Sequence, residues 1–194
     1  MTLANKITIF RILLIPVFVL ATVDYIRDFR HGTEQEWERA AACALFALAS
    51  VSDAVDGYIA RRYRQKSELG AFLDPLADKA LLISALVLLS RDNGAAFQQL
   101  PLWFPVLVIS RDIILLIGIV LLHIIVGKTI PKPRIVGKCA TFFQMITLGW
   151  IMLKVPQPSF KWVMIAAGVC TFISGIWYIF DGIKQLNLHE AKKA

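Results

Sequence analysis

The chain has 194 residues, 57% of them hydrophobic and only 18% charged, with a mean hydropathy of +0.64. Soluble domains average about 45–50% apolar residues, so this composition excludes an ordinary water-soluble domain and points to a bilayer as solvent. The net charge of +7 could suggest nucleic acid, but the Lys and Arg residues cluster between apolar segments, as loops facing anionic lipid head groups do.

A single membrane domain over residues 1–194 is the natural count at this length. A span of the roughly 30 Å hydrocarbon layer takes about 20 apolar residues, and six segments qualify: 6–23, 40–60, 69–90, 100–126, 135–153 and 160–183. The expected architecture is therefore all-α, a polytopic membrane protein with six transmembrane helices. Arg11 interrupts the first segment and no small-residue cleavage site follows it, so it reads as a retained helix rather than a signal peptide. Polar residues 24–39, a basic turn at 61–67, RDNG at 91–94 and two Pro-containing stretches at 127–134 and 154–159 separate the segments. Pro16 and Pro105 fall inside spans, where membrane helices tolerate them.

With the N-terminus inside, twelve Lys and Arg residues fall on the cytoplasmic side and six on the other. That bias puts both termini in the cytoplasm. Trp103, Trp150, Trp162, Trp177 and Tyr178 fall mostly near span ends, as an interfacial belt does. Cys43, Cys139 and Cys170 are far apart in apolar runs and form neither a disulfide framework nor a zinc site.

Residues 53–79 carry the chemistry: DAVDGYIARRYRQKSELGAFLDPLADK. Asp53 and Asp56 are spaced i, i+3 near the end of the second helix; Asp74 and Asp78 are spaced i, i+4 near the start of the third. Each spacing puts two carboxylates on one helical face. Asp56 lies about 8 Å along its helix from Arg61. Carboxylates in a membrane helix cost on the order of 2.5–3.5 kcal/mol each on insertion scales, and four converging ones repel. Arg61 and Lys79 are too few to neutralise them. A hard divalent cation, Mg²⁺, Mn²⁺ or Ca²⁺, suits an all-oxygen donor set, and two ions could share four aspartates. Gly57, Ala60 and Gly70 leave room for a nucleotide diphosphate near the backbone, and Arg61 could hold a phosphate oxygen. Paired aspartates near a helix end often merely cap it, but eight positions held together, D-x₂-D-G-x₂-A-R-x₈-G-x₃-D-x₃-D, are far more specific.

That pattern resembles the signature of the CDP-alcohol phosphatidyltransferases, met at Asp53, Asp56, Gly57, Ala60, Arg61, Gly70, Asp74 and Asp78. The likeness extends to N-x₂-T-x₂-R-x₄-P at Asn5, Thr8, Arg11 and Pro16, to SRD at 110–112 and to GKxxTxxQM at 137–145. It implies metal-dependent transfer of a phosphatidyl group from CDP-diacylglycerol to an alcohol, with CMP leaving, in phospholipid biosynthesis. By that likeness Asp53, Asp56 and Asp74 bind metal, Mg²⁺ or Mn²⁺ as two ions. Asp78 binds the second ion and is the general base. Asp53, Gly57, Ala60, Arg61 and Gly70 hold the CDP moiety. The resemblance also implies a homodimer in the bacterial inner membrane, its site facing the cytoplasm.

Arg111 lies within a span, where an arginine is a functional candidate by default, and Lys138 follows the Pro-rich turn. Both suit an anionic acceptor, unless Arg111 merely pairs with Asp112 or another helix. The overall look resembles the branch holding phosphatidylglycerophosphate synthases and CMP-forming cardiolipin synthases. The former usually carry a second arginine eight residues after the one matching Arg111; this chain has Ile119. The expectation therefore leans narrowly to phosphatidylglycerol as acceptor, with glycerol 3-phosphate the alternative. A proton- or ion-coupled transporter would also explain intramembrane Asp, Arg and His, but not the spacing of Gly57, Ala60, Arg61 and Gly70 to the aspartates.

Overall fold

The computed structural model describes the backbone of residues 3–63, 68–126, 135–155 and 158–193, and the side chains of 7–52, 77, 79–121, 136–155 and 160–184. Among the described residues there are six helices and no strand: α1 (Leu3–His31), α2 (Glu36–Tyr63), α3 (Glu68–Ser90), α4 (Trp103–Val126), α5 (Ile135–Met152) and α6 (Pro158–Lys193).

Several helices outrun their apolar segments. The polar stretch 24–39 was expected to break the chain, but α1 continues to His31. Arg27 pairs there with Asp24 at 3.6 Å and Asp28 at 3.1 Å, contacts that suit a helix surface. The stop comes at Gly32, whose φ of +69° is readily adopted only without a Cβ. The amides of Gly32 and Thr33 then turn back onto the carbonyls of Phe29 and Asp28. α2 opens with the Gln35 amide donating to the Glu38 carboxylate at 3.3 Å, half of a capping box. Pro105 falls in the first turn of α4, where its missing N–H has no helical partner to lose.

Among the described residues, three helices are long and apolar enough to cross a membrane: Ile7–His31, Trp103–Leu121 and Phe160–Lys184. Among the described residues, a shorter apolar helical stretch covers Lys79–Ser90. The molecule is an all-helical integral membrane protein.

The helices form two compact units. The first comprises residues 1–100 and 148–155. Here α1 packs on α2 and α3. The buried face of α1 is a strict 3–4 repeat, Thr8, Arg11, Ile15, Phe18, Thr22 and Tyr25. On α2 the repeat is Ala42, Phe46 and Ala49, with no exposure at either alanine, so backbones approach closely. On α3 it includes Leu82, Ala85 and Leu89. A 3.5-residue period is the seam of left-handed helix packing. The end holding His31 and Ser90 is tied down by polar contacts. Lys154 Nζ donates to Tyr25 Oη at 2.8 Å, Leu100 N to the Leu89 carbonyl at 2.9 Å, and Arg30 Nη2 to the Asp92 carbonyl.

The second unit comprises residues 101–147 and 156–194. α4 and α6 run parallel: a Cβ on Gly168 would meet Trp103 at 2.9 Å, and one on Gly175 would meet Arg111 Cγ at 3.5 Å. α5 runs antiparallel to α6, since Gln144 meets Thr171 while Gly137 meets Tyr178.

Candidate active site

The aspartate run lies in the first unit, where α2 ends and α3 begins. Backbone at 53–63 and 68–78 is helical. The side chains of Asp53, Asp56, Gly57, Ala60, Arg61, Gly70, Asp74 and Asp78 lie outside the described residues, so their geometry is left as the sequence gives it. Their positions are nonetheless informative. Positions 53 and 56 extend the buried α2 repeat of Ala42, Phe46 and Ala49 at the same spacing. Positions 74 and 78 extend the α3 repeat of Leu82, Ala85 and Leu89 in the same way. These four backbone positions thus fall close to the periodicity of the buried α2 and α3 faces. Among the described residues no group of His, Cys, Asp or Glu could hold a metal ion. The all-oxygen donor set expected from the sequence, the four aspartates, lies outside the described side chains.

Arg111 belongs to the second unit and continues the buried face of α4 after Phe104 and Val108. It is 6% exposed. Nη1 donates to Asp112 Oδ1 at 2.8 Å and Nη2 to Ser174 Oγ at 2.9 Å. The guanidinium lies 5.4 Å from the centre of the Tyr178 ring, within cation–π range. Nε is buried with no hydrogen-bond partner among the described residues. The pairing with Asp112 that the sequence allowed is present, and the adjacent carboxylate offsets much of the charge Arg111 would offer an anion.

The GKxxTxxQM run is the face α5 turns to α6. Gly137 is buried, and a Cβ there would lie 2.9 Å from Tyr178 Oη and 3.0 Å from Arg111 Nη2. Thr141 donates to the Gly137 carbonyl at 3.2 Å. Gln144 Nε2 donates to Thr171 Oγ1 at 2.7 Å, both buried. Lys138, one residue off this stripe, is exposed. The structure therefore brings the start of α5 against Arg111 and leaves Lys138 exposed.

Ser174 and Thr171 went unnoticed in the sequence, and Tyr178 was read only as a belt residue. Their signal was present: Thr171, Ser174, Tyr178 and Asp181 follow a 3–4–3 spacing within an apolar helix, a polar stripe on one face. Tyr178 was assigned to the interfacial belt, whereas its ring covers Arg111.

A family model described as CDP-alcohol phosphatidyltransferase matches residues 1–173. A probable phosphatidylglycerophosphate synthase of Mycobacterium tuberculosis is 34% identical over 95% of this chain and 83% of its own length. A CDP-diacylglycerol–glycerol-3-phosphate 3-phosphatidyltransferase of Pseudomonas fluorescens is 33% identical over 99% of this chain and 100% of its own. The Escherichia coli K12 protein of that same name is 31% identical over 95% of this chain and 93% of its own.

Proposed function

The chain belongs to the CDP-alcohol phosphatidyltransferase family and is an enzyme, and we propose that it transfers the phosphatidyl group of CDP-diacylglycerol to glycerol 3-phosphate, releasing CMP. The observation that carries this reading is the unbroken eight-position run from Asp53 to Asp78, carried on the end of α2 and the start of α3. The choice of acceptor corrects the lean to phosphatidylglycerol. Relatives matched over nearly the whole chain are named for glycerol 3-phosphate or as phosphatidylglycerophosphate synthases, and this outweighs the single departure at Ile119.

Asp53, Asp56, Asp74 and Asp78 would hold one or two divalent ions, Mg²⁺ or Mn²⁺. When bound, the metal neutralises the diphosphate and the charge that develops as CMP leaves. Asp53, Gly57, Ala60, Arg61 and Gly70 receive the CDP moiety, with Arg61 on a phosphate oxygen. Asp78 takes the proton from the attacking hydroxyl. Lys138, exposed and unencumbered by a neighbouring carboxylate in sequence, is the primary contact for the acceptor phosphate. Arg111 contributes through Nε, since Nη1 and Nη2 are already engaged.

Six transmembrane helices, an N-terminus inside and a site on the cytoplasmic face of the bacterial inner membrane follow from the apolar segments and the two-to-one Lys/Arg bias. The family match runs across both units, which supports one functional domain over 1–194; a homodimer follows from the family likeness.

The test is CMP release by the purified protein in lipid nanodiscs with CDP-diacylglycerol and Mg²⁺ or Mn²⁺. Glycerol 3-phosphate should support release and yield a product carrying its phosphate. Release with phosphatidylglycerol alone would restore the cardiolipin-forming reading; no release with any alcohol would remove the enzymatic one.

A further inference from the structure

Arg11 and Arg111 are the two buried charged side chains among the described residues. Arg111 has its partners in the second unit; Arg11 belongs to the first and is not exposed at all. An arginine stays protonated in proteins, and a buried charge is tolerated when an opposite charge lies against it. The position of Arg11 on α1 identifies which carboxylate that is.

Phe18 of α1 and Phe46 of α2 touch, with ring centroids 5.7 Å apart. The two helices are joined by the short connection 32–35 and run antiparallel. Seven residues make about two turns. Moving seven residues from Phe18 towards the N-terminus reaches Arg11, and moving seven from Phe46 towards the C-terminus reaches position 53. The two positions therefore stand at one height on facing seams. α3 runs parallel to α1, and Arg30 meets the Asp92 carbonyl two residues past the end of α3, so position 74 lies towards the same end of the unit as Arg11. Thr8, one turn from Arg11 on the same seam, is also fully buried.

Outside the four aspartates of the run, the acidic residues of this unit are remote. Asp24 is thirteen residues along α1, about 20 Å away, and Asp28, Glu34, Glu36, Glu38 and Asp92 lie at that same far end. Glu68 is six residues nearer the start of α3 than Asp74, about 9 Å along the helix.

We propose that Arg11 is a positioning residue of the aspartate site, its guanidinium pairing with Asp53 across the α1–α2 seam so that the carboxylate is held facing the cation position. The planar fork can engage one oxygen and leave the other free. It offsets one of the four negative charges, so that α2 and α3 pack before metal arrives. This assigns a role to the arginine of N-x₂-T-x₂-R-x₄-P; its metal-facing consequence rests on the function proposed above, whereas the pairing does not.

The pairing is tested by thermal unfolding of the full chain in detergent with EDTA, in a double-mutant cycle. Arg11→Gln should lower Tm by about 6 °C or more, as expected for an uncompensated buried charge. Adding Asp53→Asn should recover at least half of that loss, and adding Asp28→Asn should recover none. If Arg11→Gln fails to fold, recovery of folded protein by Asp53→Asn is the readout. Additive effects, or no recovery with Asp53→Asn, overturn the pairing. Positioning is read separately by Mn²⁺ binding, followed by electron paramagnetic resonance. Arg11→Lys keeps the charge and loses the fork, and should bind Mn²⁺ about tenfold more weakly than the native chain. Unchanged affinity in Arg11→Lys overturns the positioning role. A native chain that binds no Mn²⁺ removes the metal reading, and with it positioning, while the unfolding cycle still decides the pairing.

Discussion

Arg111 on α4 and Ser174 on α6 share a buried hydrogen bond of 2.9 Å, which anchors one helix to the other beneath the Tyr178 ring. A guanidinium inside a membrane helix needs acceptors from its own protein, because lipid supplies none. Ser174 provides one and Asp112 another. Ser174→Ala removes the first and leaves Nη2 buried and unsatisfied, which costs about 1–3 kcal/mol. Thermal unfolding in detergent should show the loss as a lower Tm. Kinetics should show a few-fold rise in KM for the acceptor with KM for CDP-diacylglycerol unchanged. A variant with native Tm would mean that Arg111 finds another acceptor.

Gly137 is where α5 comes closest to that arginine. A Cβ would sit 2.9 Å from Tyr178 Oη and 3.0 Å from Arg111 Nη2, closer than side-chain atoms pack. Gly137→Ala should therefore displace one of them, lowering stability by about 1–3 kcal/mol and weakening acceptor use. Tyr178→Phe removes the nearer atom while keeping the ring over the guanidinium. The double variant should recover part of the Tm lost by Gly137→Ala. Equal Tm values for the single and double variants would locate the strain elsewhere.

The contrast between the two units explains what sequence reading could and could not reach. The aspartate run could be proposed from the sequence because its eight positions fall within 26 consecutive residues, 53–78, at the end of α2 and the start of α3. The arginine clusters were not, because their partners are distant: Arg111 meets Ser174 63 positions later, and no local spacing foretells that. Helix count followed from apolar runs, but helix ends did not. α1 passes through a polar stretch because Arg27, Asp24 and Asp28 pair along its surface, and α6 runs to Lys193 beyond its apolar part. In α1, surface ion pairs accompany a helix that continues beyond its apolar segment.

Lys138 separates the two acceptors. It is exposed and follows Gly137, which abuts Arg111, so Lys138→Met removes a charge without opening a cavity and should leave Tm within about 1 °C. KM for glycerol 3-phosphate should rise about tenfold, the loss of one charge-assisted contact of about 1.4 kcal/mol. Raising ionic strength should weaken the native enzyme more than the variant. Steady-state rates at two salt concentrations check both points, and an unchanged KM would shift phosphate recognition to Arg111 alone.

Asp78 is the position proposed to bind metal and to accept the hydroxyl proton. Asparagine keeps the shape and one oxygen, but it cannot take up a proton. Asp78→Asn should lose turnover by about a thousandfold or more, general-base catalysis being worth about 10²–10⁴. Calorimetry with CDP should still register binding, because Asp53, Asp56 and Asp74 remain. Chelation with EDTA makes the complementary case: turnover of the native enzyme should vanish and return when Mg²⁺ or Mn²⁺ is restored, whereas neither ion should revive Asp78→Asn. Turnover of the variant near the native rate would assign the base to another residue, and loss of CDP binding along with turnover would make Asp78 a ligand needed for the nucleotide rather than a base.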